Sequence, residues 1–167
     1  MARSFDLLAE SPAGVEQVHS TLKDEKYWLA RLAAFGGIGT LESLIVGPDD
    51  TVAVTMIQDL RHDLLPGLLA RVYPADLAVL HKETWIPING GQVRGEVSFS
   101  ARGAPGSGIG TALLAPVQNG SCLKFNARVE IKVPLVGGTV ERFVGGHVVK
   151  GIAATHRFTT DWITGNA

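Results

Sequence analysis

Cysteine and net charge are both scarce in this sequence. Cys122 is the only cysteine among 167 residues, so no disulfide can form within the chain, which fits a reducing compartment. Lysine and arginine together number 15, and aspartate and glutamate 16, which gives a formal net charge of −1. Because a nucleic-acid-binding surface needs an excess of positive charge, we expect no nucleic-acid partner.

Long apolar runs are also missing. No run approaches the ~20 residues that a membrane-spanning helix needs, and the N-terminal residues lack the apolar core of a signal peptide. The apolar content is nevertheless 46%, which is typical of a chain with a sizeable core. We therefore expect one cytoplasmic domain over residues 1–167, without a membrane span.

Motifs for metal binding, phosphate binding and nucleophilic catalysis are absent as well. The five histidines show neither H-x-H nor H-x-x-x-H spacing, so we predict no metal site. The stretch 103–110 is rich in glycine but lacks Gly-Lys-Ser/Thr, which predicts a flexible hairpin rather than a phosphate loop. The serines show no nucleophile elbow, and nothing in the sequence indicates a cofactor.

An amphipathic helix near the C-terminus is the strongest positive signal. Between Leu135 and Trp162, apolar residues recur every three or four positions, the period of one helix face. At about 1.5 Å per residue, this helix would be roughly 42 Å long. The predicted stripe contains Val136, Val140, Phe143, His147, Gly151, Ala154, Phe158 and Trp162, and it is widened by Val144, Val148, Ile152 and Thr155.

Seven strands are predicted ahead of this helix. Residues 121–133 alternate most clearly between apolar and charged positions, which is typical of an antiparallel sheet with one buried face. Asn89-Gly90-Gly91 and Asn119-Gly120 indicate hairpin turns, and successive hairpins disfavour parallel βαβ units. The strand predictions are 3–9, 39–46, 51–59, 76–88, 92–101, 109–117 and 121–133.

Two short helices are predicted between the first and second strands. Ser11 suits the N-cap of the first helix, and Pro12 suits its first helical position. Asp24 is a candidate cap for the second helix, whose buried side would carry Trp28, Leu32 and Phe35.

This order of elements resembles the helix-grip fold of the START-like (SRPBCC) superfamily, which includes the birch-pollen allergen, lipid-transfer START domains and polyketide cyclases. Several stretches are similar to an uncharacterised actinobacterial family of that superfamily, a domain of unknown function. They are residues 28–32, 58–60, 63–68, 83–85, 103–108, 132–138 and 157–162.

The resemblance implies an α+β fold, in which a curved antiparallel sheet of about seven strands wraps around a long C-terminal helix. It also implies a cavity between sheet and helix that often holds an apolar ligand. It does not imply catalysis, because the fold serves carriers and enzymes alike.

The predicted cavity lining combines strand and helix residues. The candidates are Gln58, Leu64, Leu68, Trp85, Val97, Phe99, Phe125, Val129, Val140, Phe143, Val144 and His147. Glycines 137, 138, 145 and 146 each cost the helix about 0.5–1 kcal/mol relative to alanine, which indicates either close approach to the sheet or room for a ligand. The alternative is an ordinary filled core.

The segment 60–74 is predicted to be a short helix or helical loop with one apolar side. In one interpretation it forms a lid or wall of the cavity, contributing Leu64 and Leu68, with Pro66-Gly67 as a hinge. In the other it is an amphipathic element that completes the core.

His81 and Glu83 are the candidate catalytic residues, because they share strand parity with apolar neighbours. A buried carboxylate beside an imidazole can do acid–base work, since burial shifts both pKa values toward neutrality. Alternatively, both belong to a hydrogen-bonded core. We favour a noncatalytic carrier or sensor of a small hydrophobic molecule. The alternatives are a polyketide cyclase- or dehydratase-like enzyme and an interaction module with a filled core.

Overall fold

The computed structural model describes residues 2–35, 38–60, 67–73, 75–102 and 106–165. Within these ranges the chain forms seven strands and four helices. In chain order they are β1 (Arg3–Ser11), α1 (Val15–Leu22), α2 (Glu25–Phe35), β2 (Ile38–Val46), β3 (Val52–Leu60), α3 (Gly67–Val72), β4 (Leu77–Ile88), β5 (Gln92–Arg102), β6 (Gly106–Val117), β7 (Gly120–Ile131) and α4 (Gly137–Thr164).

All seven strands belong to one antiparallel sheet in the order β1-β7-β6-β5-β4-β3-β2. β2 to β7 follow one another as neighbours, as the turn residues predicted. β1 pairs with β7, so α1 and α2 connect the two edge strands. The predicted α+β helix-grip architecture is confirmed.

The face of the sheet that α4 covers carries the alternating apolar residues of the strands. On β7 these include Leu123, Phe125 and Val129, each at most 5% exposed. α4 packs mainly against β1 and β7, where Val140 joins Val129 and Ile131 in a buried cluster. Burial of this face is the main driving force for attaching the helix to the sheet.

The buried face of α4 is rotated from the predicted stripe. The buried residues are Gly137, Val140, Glu141, Gly145, His156 and Thr159, and the intervals of three, four and eleven residues among them place them on one side of the helix. His147 and Gly151 belong to the predicted stripe but are exposed. The predicted stripe was defined by apolar side chains alone. In the structure, however, α4 approaches the sheet closely at Gly145, which has no side chain.

That contact joins Gly145 and Phe5 of β1. A Cβ atom on Gly145 would overlap the Phe5 ring, whereas one on the next residue, Gly146, would meet nothing within 4 Å. Gly145 therefore provides close approach to the sheet, one of the two roles predicted for the helix glycines.

The starts of α1 and β6 differ most from the sequence predictions, by three residues each. Ser11 is the last residue of β1 and pairs with Ser121, so α1 begins only at Val15, with Gly14 as its N-cap. β6 begins at Gly106, which places residues 106–110 in a strand rather than a flexible loop. Both strands extend further than predicted because each pairs with β7.

The second helix begins as predicted, but its end is more exposed than expected. The Asp24 Oδ1 atom accepts the Lys26 N–H at 2.9 Å, which caps α2. Trp28 and Leu32 are buried, whereas Phe35 is 47% exposed. Phe35 lies at the C-terminal end of α2, where it contacts the Phe158 ring of α4.

The two neighbouring glycines of α4 provide a matched test of this packing. We expect Gly145→Ala to lower the free energy of unfolding by about 1–3 kcal/mol, because the new methyl group overpacks against Phe5. Gly146→Ala should raise it by about 0.5–1 kcal/mol through helix propensity alone. Urea denaturation checks both values, and an equal effect of the two substitutions would contradict the contact.

Candidate functional site

Two adjoining cavities lie between the sheet and α4, each with a volume of about 250 Å³. Phe99 of β5 and Val148 of α4 belong to the walls of both. We call one the apolar chamber and the other the polar chamber, after their remaining wall residues.

The apolar chamber lies over β4 to β7. Its side-chain walls are almost entirely hydrocarbon, and they include Tyr73, Leu77, Val79, Val129, Ile131 and Val144. Gly108 of β6 also lines it, and a Cβ atom there would make only ordinary contacts, the nearest being 3.5 Å from Phe99. A small residue at this position leaves space that a larger side chain would fill.

The polar chamber lies over β3 to β5, beside α2. Arg31, Gln58, His81 and Thr155 bring polar groups to walls that otherwise consist of residues such as Met56 and Ile152. Strand parity explains why the sheet residues point inward: Met56 pairs with His81 and Gln58 with Val79, all on the buried face. Arg31 comes from the buried face of α2, where its guanidinium lies 4.8 Å from the Trp28 ring centre.

A third cavity of about 40 Å³ adjoins the polar chamber, with Arg31, Ile152 and Thr155 in both walls. It also touches Glu83 and His156. Such a volume holds a few water-sized groups, since one water needs about 10–15 Å³ of this space.

Glu83 is the centre of a buried charge cluster. Its Oε1 atom accepts a hydrogen bond from Arg31 Nη2 at 2.5 Å, and its Oε2 atom accepts one from Trp85 Nε1 at 2.9 Å. His81 Nε2 lies 3.0 Å from Oε1 but without hydrogen-bond geometry. Arg31, His81 and Glu83 are 8%, 7% and 3% exposed.

The pairing fixes the charge of both partners. Burial alone would raise the pKa of Glu83, but Arg31 and then His81 hold the pKa of this carboxyl well below its usual range. Burial likewise disfavours the charged form of Arg31, yet the Glu83 carboxylate keeps the pKa of the guanidinium above its usual value. The sequence-based expectation of a Glu83 pKa near neutrality is therefore wrong, because it did not include Arg31.

His156 of α4 is buried at the small cavity. Its Nε2 atom has no hydrogen-bond partner among the described residues, and burial lowers the pKa of the imidazole. Nearby, the Tyr27 and Thr159 hydroxyls are 2.7 Å apart. Because Thr159 donates to the Thr155 carbonyl, Tyr27 is the donor to Thr159.

Most of the predicted lining residues surround these cavities. The structure places Gln58, Trp85, Val97, Phe99, Phe125, Val129 and Val144, together with His81 and Glu83, in cavity walls. Val140 is instead fully buried against Val129 and Ile131.

His147, a predicted lining residue, lies outside the described walls of the chambers. The rotation of α4 leaves this side chain exposed, with Nδ1 3.0 Å from the Phe143 carbonyl oxygen. The Phe143 and His147 rings lie 4.3 Å apart at a tilt of 40°, and in the described part of the chain neither residue lines a chamber. Leu64 and the Leu68 side chain lie outside the described residues, although α3 itself lies beside α4.

Sequence reasoning missed Arg31 and His156. Arg31 lies between Trp28 and Leu32 on the apolar stripe of α2, so a cation at that position was a signal for a buried partner. His156 lies two helix turns after Val148, on the side of α4 that only widened the predicted stripe.

Neither a membrane-crossing helix nor a metal cluster is present in the part of the chain that the structure describes. None of the helices there combines the length and hydropathy that crossing a bilayer requires. No group of three or more His, Cys, Asp or Glu side chains is arranged to hold a metal ion within the same residues.

The sequence matches one family and three curated relatives. The model of the family described as "Protein of unknown function (DUF2505)" matches residues 6–163. An uncharacterised protein of Mycobacterium tuberculosis is 36% identical over 173 residues, with 99% of each chain covered. An uncharacterised protein of Mycobacterium bovis matches with the same identity and coverage.

Solved structures share the fold at low sequence identity. Ara h 8.0201 is 14% identical with a TM-score of 0.59, over 99% of this chain and 100% of its own. A START superfamily protein from Mycobacterium smegmatis is 11% identical with a TM-score of 0.54, over 97% and 98% of the two chains. At these identities the likeness establishes the helix-grip fold and nothing finer.

The buried Arg31–Glu83 pair should behave differently from an exposed pair. We expect Arg31→Met or Glu83→Gln alone to cost about 3–5 kcal/mol of unfolding free energy, since each leaves a buried charge without its partner. The double variant should lose clearly less unfolding free energy than the sum of the losses in the two single variants. Chemical denaturation of all three gives the coupling energy.

The control is the exposed Arg94–Glu96 pair, whose closest N–O distance is 3.8 Å. Its double-mutant cycle should give no more than about 1 kcal/mol of coupling. Equal coupling in the two cycles would contradict the expectation that each buried charge depends on its partner.

Proposed function

The chain belongs to the DUF2505 family, and we propose that it binds a small hydrophobic molecule, such as a lipid, fatty acyl, polyketide or isoprenoid-like compound, between the sheet and α4. The observation that carries this proposal is the pair of adjoining chambers of about 250 Å³ each. Together they reach the range of about 300–1,000 Å³ typical of small-molecule sites.

The walls favour an elongated ligand that is mostly hydrocarbon. The two chambers together provide room under α4 for such a molecule. A tail in the apolar chamber would gain about 25 cal/mol for each Å² of apolar surface buried, before the cost of association. The polar chamber offers Gln58, His81 and Thr155 for orienting one polar end of the same molecule.

Two features disfavour the alternative functions. A cyclase- or dehydratase-like enzyme needs a carboxyl that exchanges a proton, but both Glu83 oxygens accept hydrogen bonds and the pairing with Arg31 holds the carboxyl ionised. An interaction module with a filled core would have no chambers on this scale between the sheet and α4.

Filling the apolar chamber from Gly108 tests the proposal. We expect the wild-type protein to bind 1-aminoanthracene, a neutral fluorescent probe, at one site per chain. Gly108→Leu should weaken this binding about ten-fold or more, because the side chain occupies the space of the ligand. Fluorescence titration measures the affinity, and thermal unfolding verifies that the variant is folded.

Thr111→Leu is the matched control, since Thr111 lies on the same strand but is exposed on the outer face of the sheet. It should leave the affinity unchanged. Failure of the wild-type protein to bind the probe or any of a panel of lipids and polyketides would overturn the proposed function.

A further inference from the structure

We propose that the chambers select molecules whose polar end is uncharged, such as an alcohol or a ketone, and that Glu83 excludes carboxylates and phosphates. This inference rests on the proposed function and goes further, because it names the chemistry of the ligand's polar end and the residue that determines it.

The first observation is the gradient of polarity along the chambers. The apolar chamber has no charged side chain among its described wall residues. Arg31, Gln58, His81 and Thr155 all line the other chamber. Glu83 contacts both Arg31 and His81 and lines the adjoining small cavity. An amphipathic ligand therefore has one favourable orientation, with its tail beside Val144 and its polar end near Gln58.

The second observation is the charge balance at the polar end. The guanidinium of Arg31 is the one permanent cation in the described walls of the polar chamber, and it already pairs with Glu83 at 2.5 Å. The formal charges of Arg31 and Glu83 cancel, so the guanidinium is not a free cation for an incoming anion. Arginine beside a ligand pocket is ordinarily a sign of carboxylate or phosphate recognition, but here the carboxylate is supplied by the protein.

This balance discriminates between ligand classes. A carboxylate or phosphate would be buried close to the ionised Glu83 side chain, without a cation of its own. An ammonium group would likewise be buried close to the Arg31 guanidinium, without an anion of its own. An alcohol or ketone avoids both penalties, since the Gln58 amide has both donors and an acceptor for it and Thr155 has a hydroxyl.

Among the described residues, the other titratable side chains beside this pair are His81, His156 and Tyr27. His81 Nε2 lies 3.0 Å from the Glu83 carboxylate, so this ring is held beside an anion that belongs to the protein. His156 of α4 is buried at the small cavity, where burial lowers the pKa of its imidazole and favours the neutral ring. Tyr27 of α2 is uncharged, because burial raises the pKa of its hydroxyl.

Three probes with the same twelve-carbon tail test the inference: dodecan-1-ol, dodecanoate and dodecylamine. Each is titrated as a competitor of 1-aminoanthracene at about pH 8, where histidine side chains are ordinarily neutral. For the wild-type protein we expect the affinity for dodecan-1-ol to exceed the affinities for dodecanoate and dodecylamine by about ten-fold or more. Equal or tighter binding of dodecanoate would overturn the inference while leaving the proposed function intact.

Glu83→Gln tests the role of this residue directly. The amide retains an acceptor for Trp85 but removes the negative charge, so Arg31 becomes available to an anion. Dodecanoate should then bind about ten-fold or more tightly than it does to the wild-type protein, with little change for dodecan-1-ol. Unchanged preference in the folded variant would contradict the role of Glu83.

Glu96→Gln is the matched control, because it makes the same chemical change at an exposed position of β5. It should leave the affinities for all three probes unchanged. If Glu83→Gln does not fold at the assay temperature, the wild-type comparison of alcohol and acid decides the inference. Wild-type protein that binds none of the probes, including 1-aminoanthracene, would overturn the proposed function together with this inference.

Discussion

A buried guanidinium on α2 and a buried carboxylate on β4 meet at a distance of 2.5 Å, and the polar half of the candidate site is arranged around this contact. Neither charge is stable in such surroundings without the other. The pair therefore ties α2 to the sheet at a fixed position. It also determines the character of the polar chamber, because it supplies two strong charges that sum to zero.

The position of α4 explains why space remains beside this pair. The helix contacts β1 and β7 closely, where Gly145 meets Phe5 and Val140 packs on Val129. At its other end Trp162 joins an aromatic cluster with Tyr27. These contacts hold the helix over one side of the sheet, and the chambers lie largely over the remaining strands, β3 to β6.

Strand parity and turn chemistry predicted the sheet well. Alternation assigned His81 and Glu83 to one face of β4 but did not decide which face is buried, because both faces carry apolar residues. In the structure the face with His81 and Glu83 is the buried one. The sequence did not reveal the Arg31–Glu83 contact, because the two residues are 52 positions apart and belong to different elements. The predicted orientation of α4 about its own axis was wrong for a related reason. Apolar side chains define a stripe in the sequence, whereas the tightest helix–sheet contact uses a glycine.

The measurement that tests the account most directly is native mass spectrometry of the protein purified from its own host, followed by organic extraction. The account predicts one small molecule per chain, mostly hydrocarbon and with an uncharged polar end, and it predicts that Gly108→Leu protein from the same host carries none. Wild-type protein without such a molecule, which also fails to take one up from a total lipid extract, would contradict a ligand site between the sheet and α4.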